Sequence, residues 1–143
     1  MFHTIHTLFG IFLSTLDINL WIIIIIAFFS HWVLDFIPHF GYKTRFDKKS
    51  FIRIAVIDGL VSLVLLFSYL IIENPSNFVF VLFIVFLTTY VDLFRIPDLF
   101  FNKRYFKKIF FDFHKKIQNE FREGWIIEIV VFTVLFYLLF INT

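Results

Sequence analysis

Along the chain, uncharged apolar runs alternate with short polar breaks, and the pattern divides the sequence into five segments of roughly membrane-crossing length. They cover Phe2–Leu16, Ile18–Ile37, Phe51–Ile72, Phe78–Phe94 and Gly124–Ile141. Pro38 and Gly41 close the second, and the stretch Glu73-Asn74-Pro75-Ser76-Asn77 is a turn between the third and fourth. Asp17 stands where an N-cap of the second is expected. The first segment is the shortest. It carries neither a basic leader nor a small-residue cleavage site, so it reads as a retained helix. Residues 99–121 follow another pattern. There Leu99, Phe100, Phe101, Tyr105, Phe106 and Ile109 interleave with Lys103, Arg104, Lys107 and Lys108, as in an amphipathic helix lying in an anionic interface. The expectation is an all-α membrane protein, one domain over residues 1–143, with about five transmembrane helices plus a cytoplasmic-side amphipathic helix.

Composition supports lipid as the solvent. Hydrophobic residues make up 60% of the chain and charged residues 17%, with a mean hydropathy of +0.89. A soluble domain of this size carries roughly 25% charge. With no Cys, disulfides and thiolate metal sites are excluded, and a metal would have to be held by His and carboxylates.

Charge then sets orientation. All 13 Lys and Arg fall in two stretches, Lys43–Arg53 and Arg95–Arg122, which share one side when the segments cross in alternation. The positive-inside rule makes that side cytoplasmic, with the N-terminus inside and the C-terminus outside.

Ionisable residues within apolar segments cost on the order of 2–3 kcal/mol each at a helix centre, so they tend to face a protein interior. His31 and Asp35 are four apart and share a helix face, and His39 extends the stripe beyond Pro38. At a rise of 1.5 Å per residue, His31 and Asp58 lie roughly 10–12 Å below the cytoplasmic edge, with Asp35 and Asp92 shallower. His6, near the start of the first segment, falls in the same layer, and His114 precedes the last segment. His6, His31, Asp35, His39, Asp58, Asp92 and His114 are therefore the candidate ligands of a divalent ion such as Zn, Mn or Fe, with His39 and His114 also candidates for a catalytic base. Asp98, after Pro97, is an alternative to Asp92. Glu128 is expected to snorkel toward the interface, and His3 to be interfacial.

Several of these residues stand in motifs. His6-Thr-Leu-Phe-Gly10, Ser30-His31-Trp-Val-Leu-Asp35-Phe-Ile-Pro38-His39, Ile57-Asp58-Gly59 and Phe113-His114-Lys-Lys-Ile117-Gln118 resemble, in their order, small bacterial inner-membrane proteins of the membrane-bound metal-dependent hydrolase (YdjM-like) type. The resemblance implies metal-assisted hydrolysis of an ester or phosphoester. A centre just beneath the headgroups would suit a phospholipid or polyprenyl phosphate, with Lys43, Arg45, Lys48 or Lys49 neutralising its phosphate. The competing class is a non-catalytic accessory subunit, its buried Asp and His paired within a larger membrane complex or a homo-oligomer. Membrane lipids are the expected surroundings under either reading, and no nucleic-acid partner is expected.

Overall fold

The structure is a computed structural model that describes residues 2–40, 48–101, 116 and 123–141. Among these residues the chain is all-helical. It forms α1 (His3–Thr15), α2 (Leu20–Phe36), α3 (Lys48–Glu73), α4 (Phe78–Phe101) and α5 (Gly124–Phe140). Four-residue links join α1 to α2 and α3 to α4, and contacts of Phe2, His3 and His6 with Glu128, Asp58, Asp92 and Asp35 bring the starts of α1, α3 and α5 to the ends of α2 and α4 at one end of the bundle.

Local chemistry explains the boundaries. The cap of α2 is Asn19, whose Oδ1 accepts the Trp21 N–H at 2.9 Å, and not the exposed Asp17 expected from sequence. Asn19 wins because it lies immediately before the first helical residue, where a side-chain oxygen reaches the free N–H groups. Asn77 caps α4 in the same manner, accepting the Phe80 N–H at 3.1 Å. Asn74 ends α3 with a φ of 42°, a left-handed conformation that Asn tolerates. The fourth helix was expected to stop at Phe94, but α4 continues through Pro97 to Phe101. Asp98 therefore belongs to α4, not to a segment beyond it. Residues 99–101 complete α4, and most of the remainder of the amphipathic helix expected at 99–121 lies outside the described residues.

The shortest helix is the centre of the fold. α1 packs against α2, α3, α4 and α5. It buries Ile5, Leu8 and Ile11 in a cluster with Leu66, Tyr69, Val81, Val85, Leu135 and Leu139. On the α2 side, Leu13 joins Ile23, Ala27 and Ile84. Gly10 sets the approach of α1 to α4. A Cβ there would meet Thr88 Oγ1 at 2.6 Å and Val85 Cα at 2.8 Å, so even a methyl group would push the helices apart. At α5, the missing side chain of Gly124 leaves room for the backbone of His39 to cross the helix start.

Around this core the surface is apolar. Trp21, Val33 and Phe36 on α2, Val64 and Ile71 on α3, Val79 on α4 and Ile129 on α5 are all more than half exposed. Thr4, His6, Thr7, Ser30, His31, Asp35, Ser62, Thr88, Thr89 and Glu128 are buried. A water-soluble fold has the reverse arrangement, and an exposed apolar surface on four helices calls for an apolar surrounding. Residues Ile52–Glu73 of α3 are long and apolar enough to cross a bilayer, with 22 residues at a mean hydropathy of 2.4.

Candidate metal centre

The site begins with the start of α1. His3 and His6 are three residues apart and lie on the face turned toward α2 and α4, while Thr4 points the other way, toward α3. Antiparallel packing brings the last turns of α2, with His31 and Asp35, to the same level. From α4 come Thr88 and Asp92.

His6, His31 and Asp35 are fully buried, and one ligand atom from each lies within 4.8 Å of the others. Asp35 reaches the Nε2 edge of both imidazoles. His6 Nε2 is 3.4 Å from Asp35 Oδ1, and His31 Nε2 is 3.5 Å from Asp35 Oδ2. The His31 Nδ1–H donates to the Thr88 carbonyl at 3.0 Å, which fixes the tautomer and leaves Nε2 as the lone-pair nitrogen. That nitrogen faces Asp35 and, at 3.9 Å, Asp92 Oδ1. Asp92 Oδ2 reaches His3 Nδ1 at 3.5 Å. An unbroken alternation, His6, Asp35, His31, Asp92, His3, thus runs from the bundle interior to the partly exposed Asp92 and His3.

These separations bear on whether a metal fits. A carboxylate bonded to an imidazolium sits at roughly 2.7–2.9 Å. Two donors on one tetrahedral ion, with bonds of about 2.0–2.2 Å, lie about 3.3–3.6 Å apart. The Asp35 contacts match the second spacing. Neither ring nitrogen of His6 makes a hydrogen bond among the described residues, although the ring is 0% exposed. A buried imidazole with two unsatisfied nitrogens is costly without a partner such as an ion. Two imidazoles and one carboxylate, with a second carboxylate adjacent, suit Zn, Mn or Fe. The His6 and His31 rings are stacked, 4.2 Å apart with planes at 16°, so sharing one ion would require the planes to open.

The remaining candidates divide. Asp58 lies on the opposite face of α1 and acts as its cap. Its Oδ2 accepts the His3 N–H at 2.5 Å, its Oδ1 accepts the Thr4 N–H at 3.2 Å, and the Thr4 hydroxyl donates to it as well. Glu128 does not snorkel. It is buried, and its Oε1 accepts the Phe2 N–H at 2.9 Å. Two carboxylates from distant helices therefore satisfy the free N–H groups and positive end of α1, whose own Phe2 offers no capping side chain. His39 is buried too, but its Nδ1–H donates to the Ile37 carbonyl at 2.8 Å and it is not one of the three converging residues. His114 and the side chain of Asp98 lie outside the described residues.

His3 and Thr88 were missed as site residues. The three-residue spacing of His3 and His6 carries the same signal as His31 and Asp35 and places both rings on one face. Thr88 acts through its backbone carbonyl, which no side-chain pattern reveals. The chain matches no protein-family model, no curated protein and no solved structure.

Proposed function

We propose that the chain is a membrane-embedded, metal-dependent hydrolase acting on a phosphoester or ester near the cytoplasmic face, with a lipid-linked phosphate as substrate. The observation that supports this reading most is the convergence of His6, His31 and Asp35 inside a bundle whose outer faces are apolar. All five helices cross the bilayer in this account. α2, the Phe78–Phe94 part of α4 and α5 each supply 17 residues, about 25 Å of helix. α1, with 13 residues, covers about 20 Å, and the extended link 16–19 completes its crossing. In this reading the positive-inside rule puts the basic stretches, and with them the polar end of the bundle, on the cytoplasmic side.

His6, His31 and Asp35 would hold the ion, with Asp92 beside them. A divalent ion held there supplies Lewis acidity and a water of lowered pKa. His31 is oriented by the Thr88 carbonyl, so its Nε2 is presented in one direction. Asp92 and His3 form the partly exposed edge of the site. From there the Asp92 carboxylate accepts a proton from the attacking water as general base, and His3 holds that carboxylate in place. The basic stretch after α2 draws the phosphate of the substrate to the same leaflet.

The test is phosphate release from a polyprenyl phosphate or phosphatidic acid by the full chain in vesicles, with metal content measured on the same sample. Release that disappears together with bound metal in His6→Ala supports the reading. Metal-loaded protein that releases no phosphate from either lipid contradicts the hydrolase, and protein that binds no transition metal contradicts the centre as well.

A further inference from the structure

Charge and apolarity are sorted around α3. Asp58 and Ser62 bond to Thr4 of α1, so that face of the helix turns inward. On the opposite face Lys49, Arg53, Val56, Leu60, Val64 and Ile71 follow one another at helical spacing, and all six are exposed. The stripe is divided by level. Arg53 stands at the start of the apolar span Ile52–Glu73, Lys49 lies one turn further out, and the stripe beyond Arg53 is apolar.

Charge and level together select an occupant. The salt bridges among the described residues all join His to Asp, so neither cation is neutralised there. Residues four apart on a helix have Cβ atoms about 5–6 Å apart, near enough for both heads to reach one phosphate. Arg53 offers a fork of N–H groups and Lys49 a point charge. Both stand where the apolar span gives way to headgroups, and their long stems let the charged ends follow that boundary. We infer that this face of α3 binds an anionic phospholipid, its phosphate between Lys49 and Arg53 and one acyl chain lying along Leu60 and Val64. A zwitterionic lipid brings its own cation toward the basic pair and is the poorer ligand. Because the stripe faces away from α1, this lipid is distinct from the substrate of the proposed hydrolase. The inference rests on the bundle lying in lipid and is independent of the metal centre.

The test places a single indole on the stripe. The full chain carrying Leu60→Trp, with Trp21→Phe, Trp32→Phe and Trp125→Phe, would be reconstituted in phosphatidylcholine vesicles. These would contain increasing amounts of chain-brominated phosphatidylglycerol or chain-brominated phosphatidylcholine while fluorescence is followed. Position 60 lies about 10 Å along the helix from Arg53, level with acyl chains. Half-maximal quenching is expected at a roughly 10–25-fold lower mole fraction of the glycerol lipid, since each Lys or Arg near an anionic surface contributes about fivefold. Lys49→Gln plus Arg53→Gln should bring the two curves together, while Lys49→Arg plus Arg53→Lys should keep them apart. Lys107→Gln plus Lys108→Gln removes the same charge from the second basic stretch and should leave the preference intact. Coincident curves in the starting protein would overturn the site. So would a preference that Lys49→Gln plus Arg53→Gln leaves unchanged, or that Lys107→Gln plus Lys108→Gln abolishes equally. No quenching by either lipid would overturn the placement of α3 in the membrane, and the site with it.

Discussion

Asp58 and Glu128 stand on one side of α1, and Asp35 and Asp92 on the other. All four reach the same end of the bundle, yet their partners differ in kind. The first pair accepts backbone N–H groups at the start of α1, so those carboxylates replace a cap that Phe2 cannot provide. Of the second pair, Asp35 faces two imidazole nitrogens at 3.4 and 3.5 Å, the spacing of donors on a shared ion, and Asp92 stands beside them, 3.9 Å from His31 and bonded to His3. Level along the bundle is therefore no guide to role. The atoms facing a buried carboxylate decide whether it holds a helix or a ligand.

Removing the cap should separate the two pairs most strongly. Asp58→Ala leaves the His3 and Thr4 backbone N–H groups without their partner, while the Thr4 hydroxyl keeps the Asp58 backbone carbonyl and Ser62. At about 1–3 kcal/mol for each unsatisfied buried group, the loss for the two N–H groups should be about 2–6 kcal/mol, read as a lower midpoint of unfolding in detergent. The protein that stays folded should still bind metal. Gly10→Ala attacks both sides together, because the added methyl overlaps the Val85 backbone. Overpacking of this kind should cost about 1–3 kcal/mol and weaken metal binding, since moving α1 off α4 also shifts His6 relative to His31 and Asp35 on α2, which is tied to α4 through the Thr88 carbonyl. His3→Gln is a finer probe. It removes the imidazole that holds Asp92 and should lower metal affinity by roughly 10–100-fold in a competition titration, with little change in the unfolding midpoint. The smallest effect belongs to Gly59→Ala, where a Cβ meets nothing within 4 Å. A midpoint unchanged or raised by up to ~1 kcal/mol of stability is expected there.

Much of this arrangement could be read from the chain. Hydropathy located α2, α3 and α5 to within a few residues, and residue spacing puts His6, His31, Asp35, Asp58 and Asp92 in one layer along the bundle. The sidedness of that layer was not legible. Asp58 and Asp35 look alike in sequence, and only the packing of α3 against the opposite face of α1 makes Asp58 a cap. The central position of α1 was equally hidden, because its short length suggested a weak span, whereas burial on nearly all sides follows from Gly10, Thr4 and Thr7 allowing close approach. Asn19 displaced Asp17 as a cap through a difference of two residues, finer than a hydrophobic pattern resolves.

The central claim is that the His6, His31 and Asp35 side of α1 holds a divalent ion and the Asp58 side does not. Elemental analysis of the detergent-purified full chain tests it directly, comparing the unchanged protein with His31→Ala plus Asp35→Ala and with Asp58→Asn. A transition metal bound in stoichiometric amount, lost in the first variant and retained in the second, is the expected result. Protein without transition metal, or with the same content after the loss of His31 and Asp35, would contradict the account.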